Sequence, residues 1–176
     1  MFELKIDSEL TLRTLEEADA PLLFETVDTN RDYIGEYLPW VDDTKSPEDS
    51  LAFIRRVRAE FKSGETVPAG LWYGGELVGH IGIQDIRRGH KAEIGYWLAE
   101  NAAGKGLMTK AARAMVRYSF VELGLVKLVI LARTTNQRSI NVARRLGFRP
   151  EGVERAGEMH RGEFHDLEHF GLLKGE

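Results

Sequence analysis

The chain has 176 residues, 43% apolar and 30% charged, with 18 Gly and 5 Pro; this suits one domain over residues 1–176 and excludes disorder or a collagen-like repeat. Its 24 basic and 28 acidic side chains leave a net charge of −4, which does not select nucleic acid, and no apolar run nears the roughly 18 residues of a membrane span. There is no cysteine, which removes disulfides, thiolate metal sites and any covalent intermediate on an enzyme thiol.

The opening Met1-Phe2-Glu3-Leu4-Lys5 lacks the basic-then-apolar order of a secretory signal, so a cytoplasmic protein is expected. Leu10-Thr11-Leu12-Arg13 alternates like a strand, and Thr14 with Glu17 reads as a capping box opening a helix through about Val27. An irregular aromatic stretch follows, with Tyr33, Tyr37, Leu38, Pro39 and Trp40. Ser46-Pro47 starts a second helix, whose Leu51, Ile54, Val57 and Phe61 share a face. The middle of the chain reads as a meander: Leu71 to Tyr73, a Gly74-Gly75 turn, Leu77 to Ile86, then Ala92 to Leu98. A long amphipathic helix runs from Gly106 to about Leu123, with Lys110, Arg113 and Arg117 on its wet face. Val126 to Arg133 predicts a strand buried on both faces. A short helix from Arg138 to Gly147 and strands near Gly152–Glu154 and Phe164–Leu173 complete an α+β fold, with a largely antiparallel sheet flanked by helices.

The segment Asn101-Ala102-Ala103-Gly104-Lys105-Gly106-Leu107-Met108-Thr109 joins a strand to a helix. The first amides of a helix lack internal partners and its dipole makes that end positive, so a glycine turn there can cradle a pyrophosphate. Lys105 would add a charge. The alternative is a tight connection and nothing more. The segment is neither a Walker loop nor a G-x-G-x-x-G fingerprint, which disfavours ATP and NAD.

Four segments, Ala92 to Leu98, Asn101 to Gly106, Thr135-Asn136-Gln137-Arg138-Ser139 and Arg145-Leu146-Gly147-Phe148, together resemble the GNAT acetyltransferases, and among them the ribosomal-protein N-terminal acetyltransferases of RimJ/RimL type. The resemblance implies a GNAT fold with a splayed central strand pair, acetyl-CoA as co-substrate and no metal. The family's Q/R-x-x-G-x-G/A loop falls on Asn101 to Gly106, with Asn101 replacing the usual Gln or Arg. Tyr96, Trp97 and Leu98 are then expected to offer backbone contacts in the splay, including an oxyanion donor. Gly104, Lys105, Gly106, Leu107, Met108 and Thr109 would hold the pyrophosphate, with Asn136, Ser139, Asn141 and Arg145 along the rest of the cofactor.

Without a cysteine, direct attack of an amine on the thioester is the expected chemistry. Ser139 matches the RimL-type serine that protonates the departing sulfur; it could equally serve, with Asn136, to cap the short helix. Glu93 or Glu100 would be the base, unless water takes that part. Tyr37 and Trp40 fall where the subfamily builds its acceptor site. The acceptor expected is the α-amino group of a protein or peptide, or else a small-molecule amine or antibiotic; a non-catalytic CoA-binding module is the rival. Homodimers are usual in the family. His165 and His169 would share a helix face suited to a metal, but their segment reads as the last strand and finds no third ligand.

Overall fold

Leu10 and Leu12 are fully buried while Thr11 and Arg13, which alternate with them, are not, and this alternation makes Leu10–Arg13 a strand (β2) with one face in the core. In the computed structural model, which describes residues 1–176, β2 pairs with β1 (Glu3–Lys5), too short to show a pattern, and with β3 (Val67–Tyr73). The sheet continues through β4 (Glu76–Arg87), β5 (Lys91–Leu98), β6 (Lys127–Arg133), β7 (Arg149–His160) and β8 (Glu163–Leu173). Strand order is β1-β2-β3-β4-β5-β6-β8-β7, and every neighbouring pair is antiparallel except β5 with β6. The mostly antiparallel α+β sheet expected from the sequence is therefore present.

Helices cover both faces: α1 (Ala20–Thr29), α2 (Arg31–Gly35) and α3 (Pro47–Ser63) on one, α4 (Leu107–Val121) and α5 (Gln137–Arg145) on the other. The second helix expected from Ser46-Pro47 is α3, and Asp49 closes its first turn by accepting from the Ser46 amide at 2.9 Å. The first start was misplaced. Thr14 is buried and its Oγ1 accepts from the Phe2 amide at 3.0 Å, while the capping box lies at Glu16 and Asp19. A hydroxyl committed to the neighbouring strand cannot cap a helix. The larger core lies under α4 and α5, around Ile81, Ile94, Met115, Leu128 and Phe170. Each such side chain contributes about 1.5–3 kcal/mol on burial. The smaller core, with Val27, Ile34, Val41, Ile54 and Trp97, packs under α1 to α3.

The parallel pairing of β5 with β6 covers only Lys91–Glu93 against Lys127–Val129. Beyond Glu93 the two strands have no registered partners in each other, so the sheet opens in its middle. That opening corrects the reading of β6 as buried on both faces: Leu128, Ile130 and Ala132 are buried, whereas Val129 and Leu131 remain partly exposed in the gap. The sheet's registered irregularities next to β5 lie in β4, between Gln84 and Arg87, where Asp85 takes φ 52°. β7 extends well beyond Gly152–Glu154, because residues 149–156 are exposed at every position and show no alternation to read.

Candidate active site

The gap between β5 and β6 opens into a continuous cleft of about 2220 Å³ lined from both faces of the sheet. Strand alternation sorts its walls. Ala92 and Ile94 belong to the larger core beneath α4 and α5, and Tyr96 packs against it. Trp97 belongs to the smaller core, and Glu93 and Gly95 share its face. Across β4, His80 stands opposite Trp97 and Gln84 opposite Glu93.

On the α4 side, Gly104 and Gly106 take φ of 78° and 72°, left-handed values that L side chains rarely adopt, and no heavy atom would meet a Cβ built on either. No side chain caps α4, and its first turn holds no acidic residue. Its leading amides are left free for an anion, and Gly104, Gly106, Leu107, Met108 and Thr109 line the cleft. The residues present thus fit a pyrophosphate, and the donors are backbone. Lys105 and Asn101 do not join them: both line a separate small depression, where the Lys105 ammonium lies 5.4 Å from the Tyr73 ring. The left-handed turns on either side of Lys105 present the peptide to the cleft and the side chain to the outside.

Further along this side, Asn136 caps α5 by accepting from the Ser139 amide at 3.1 Å. Ser139 Oγ lies 3.0 Å from the Tyr96 hydroxyl, which also reaches the Ser139 carbonyl at 3.3 Å. Burial pushes the Tyr96 phenol up to about 12, so it stays protonated at neutral pH. Tyr96 was expected to act through its backbone; its hydroxyl, paired with Ser139, is the stronger feature. Asn141 and Arg145 line the exposed end of the cleft, and Trp97 and Leu98 line its wall.

The α1–α3 side is made of side chains. Trp40, 39% exposed, tilts against Trp97 at 6.1 Å between ring centroids. Tyr37 donates to the Thr135 carbonyl at 3.4 Å, bridging to the loop before α5. Glu93 accepts from Gln84 Nε2 at 2.9 Å, and burial raises its carboxyl above the ordinary glutamate value. Glu100 does not line the cleft: it is exposed on the turn after β5, whose backbone amide donates to Asn30 Oδ1 at 2.8 Å. Three residues that sequence reasoning missed do line it, namely Glu158 on β7, Arg133 at the end of β6 and His80 on β4. Arg133 carried a signal, a charge ending an otherwise apolar strand; Glu158 carried none. Burial lowers His80 to about 4, which keeps its ring neutral. His165 and His169 lie on β8, where His169 Nε2 meets Glu154 at 3.0 Å.

A family model described as an acetyltransferase (GNAT) domain matches residues 9–149. The chain belongs to the GNAT acetyltransferases. It is 36% identical to YdaF of Bacillus subtilis, a candidate ribosomal N-acetyltransferase, over 100% of this chain and 97% of the relative. It is 27% identical to the ribosomal-protein-serine acetyltransferase of Escherichia coli, over 93% and 92%. Among solved structures, RimL, a ribosomal L7/L12 α-N-protein acetyltransferase in complex with CoA, superposes with a TM-score of 0.94 at 25% identity, covering 98% of each chain. In that complex CoA is held by a disulfide to a cysteine; this GNAT chain has no cysteine and cannot form one. It is an acetyl-CoA-dependent N-acetyltransferase. Acetyl-CoA supplies the activated acetyl group, and the Gly104–Thr109 backbone on the α4 face would hold its pyrophosphate. No helix is long and apolar enough to cross a membrane.

Proposed function

We propose that this enzyme acetylates the N-terminal α-amino group of a protein or peptide in the cytoplasm. The observation that carries the reading is the two-sided cleft, with backbone donors for an anion on one face and an open, aromatic, carboxylate-bearing groove on the other. Trp40 and Tyr37 form the outer part of that groove, and Glu93 and Glu158 its two inner carboxylates. An ammonium group entering from the α1–α3 side meets these carboxylates before it reaches the gap in the sheet. Its likeness to enzymes named for ribosomal-protein substrates supports a polypeptide acceptor over a small amine.

In this reading Glu93 takes the proton that makes the amine nucleophilic, directly or through water. Its burial raises its proton affinity, and a carboxylate whose pKa moves toward neutrality is the better base. The nitrogen then bonds to the acetyl carbon and, as the carbon–sulfur bond breaks, sheds its second proton to water to leave the neutral amide. A β5 amide facing the gap stabilises the oxygen that becomes negative. Ser139 Oγ–H protonates the departing sulfur, the Tyr96 phenol resupplies Ser139 through their 3.0 Å contact, and water returns a proton to Tyr96.

The test is a panel of peptides with different N-terminal residues, incubated with acetyl-CoA and scored by mass, with N-terminally blocked peptides and free polyamines alongside. Acetyl gain confined to free α-amines of the peptides is expected. Acetylation of polyamines with none of the peptides would overturn the assignment.

A further inference from the structure

Arg133 and His160 are each only 6% exposed, although neither is apolar. A buried guanidinium is costly unless its N–H groups find partners, and this one has three. Nε donates to the Glu158 carboxylate, Nη1 donates to the Glu36 carbonyl at 3.0 Å, and Nη2 meets His160 Nδ1 at 2.7 Å. Arginine offers donors only, so Nδ1 must accept and the ring proton sits on Nε2. Nε2 is shut off from solvent and lies 3.4 Å from Asp42 Oδ2, without the alignment of a hydrogen bond. Asp42 in turn is gripped by Arg161, from the β7–β8 turn, through a fork at 2.6 and 2.8 Å.

These contacts form one chain in which hydrogen bonds join the His160 ring, the Arg133 guanidinium and Glu158, while Asp42 faces the far end of the ring at 3.4 Å. Its two ends matter. Asp42 follows Trp40 in the segment that forms the outer acceptor groove, and Glu158 lines the cleft. The position between Asp42 and Arg133 needs an acceptor on one side and a donor on the other. A carboxylate there would compete with Glu158 for Arg133, a cation would repel Arg133, and an aliphatic side chain would leave Nη2 unpaired. A neutral imidazole or a carboxamide meets both needs.

We propose that His160 is a positioning residue that fixes the Arg133 guanidinium, so that the Glu158 carboxylate is held toward the incoming amine and the Tyr37–Asp42 segment is tied to the same point. The inference rests on the amine-transfer reading above, which gives Glu158 an ammonium group to meet.

The test compares His160→Gln with His160→Leu, using the peptide that the unmodified enzyme acetylates best. His160→Gln keeps kcat/KM for the peptide within about threefold. His160→Leu lowers it at least tenfold, with KM for acetyl-CoA changed less than twofold. Without acetyl-CoA, the exchange-protected Arg133 Nε–H resonance persists in His160→Gln and is lost in His160→Leu. If His160→Leu does not fold, Asp42→Ala takes its place, with at least a threefold loss expected. Equal activity of the Gln and Leu variants, or for the substitute an unchanged kcat/KM in Asp42→Ala, overturns the proposal. So does an equal loss of acetyl-CoA affinity. If no peptide is acetylated at all, the functional reading fails, while the Arg133 resonance still decides whether His160 fixes the guanidinium.

Discussion

The two faces of the split sheet solve different problems with different materials. On the α4 face the groups suited to an anion are peptide groups, namely the left-handed glycines at 104 and 106 and an uncapped helix start. On the α1–α3 face the site is built from side chains that arrive from α2, the turn at Pro39–Asp42, β4, β5, β6 and β7. A backbone site is tied to one short stretch of chain and tolerates change in the side chains around it, as Asn101 and Lys105 facing away illustrate. A side-chain site can be altered one residue at a time, which suits the surface that chooses an acceptor.

The heaviest blow to the acceptor face is Arg133→Ala. Removing the guanidinium leaves the partly exposed Glu158 and the buried His160 ring without their partner, and each group left unsatisfied costs about 1–3 kcal/mol. Chemical denaturation should show that loss. An unchanged midpoint would mean that the network does not hold the two segments together.

On the opposite face, Ser139→Ala tests chemistry without touching the anion site. A proton-transfer group contributes at least about 100-fold to rate; with the Tyr96 hydroxyl still in the cleft, steady-state kinetics should show kcat lowered by roughly 10- to 100-fold. Its acetyl-CoA affinity should hold, because the amide that Asn136 caps is kept. Equal turnover would remove Ser139 from the mechanism.

Stability against pH separates the faces again. Burial depresses His80 from its ordinary 6.5 to about 4. The unfolded chain therefore takes up a proton before the folded one does, and stability falls as pH drops from 6.5 toward 4. The loss is on the order of 3 kcal/mol for a shift of this size. Glu93, raised by burial, acts with the opposite sign as pH falls toward 4.5, so the comparison is His80→Phe against the unmodified enzyme, both retaining Glu93. Asp7 and Asp42, held near 2 by Lys110 and Arg161, lose their contribution only as pH drops below 3.8. Urea midpoints at pH 6.5 and pH 4.5 should lie closer together in His80→Phe than in the unmodified enzyme. An identical pH slope in the variant would contradict a buried neutral ring.

The smallest effect on the fold is expected from Trp40→Ala. Its ring is exposed on one side and leans on Trp97 on the other. Thermal unfolding should shift by only a few degrees, while KM for the peptide acceptor rises several-fold and KM for acetyl-CoA does not. A matching rise in both would break the division between faces.

What could be read from the sequence follows the same division. Local backbone features were legible: the Gly74-Gly75 hairpin, the α3 start at Ser46-Pro47, and the Gly104–Thr109 cradle all lie within a few consecutive residues. Glu158, Arg133 and His80 were not, because three strands far apart in the chain bring them to one cleft. Thr14 misled because its hydroxyl fits a helix cap equally well, and only the pairing of Phe2 across the sheet decides otherwise. The charge of Lys105 suggests a phosphate contact, whereas the sequence does not show that the two left-handed turns around it put its side chain in a separate depression.

Calorimetric titration with acetyl-CoA, with ATP and NAD as controls, tests the backbone-built cofactor face most directly. The proteins to compare are the unmodified enzyme, Lys105→Ala and Gly106→Val. Selective binding by the first two and none by a folded Gly106→Val is the predicted result. Binding lost in Lys105→Ala but kept in Gly106→Val would contradict the account, because a side-chain charge would then be holding the pyrophosphate.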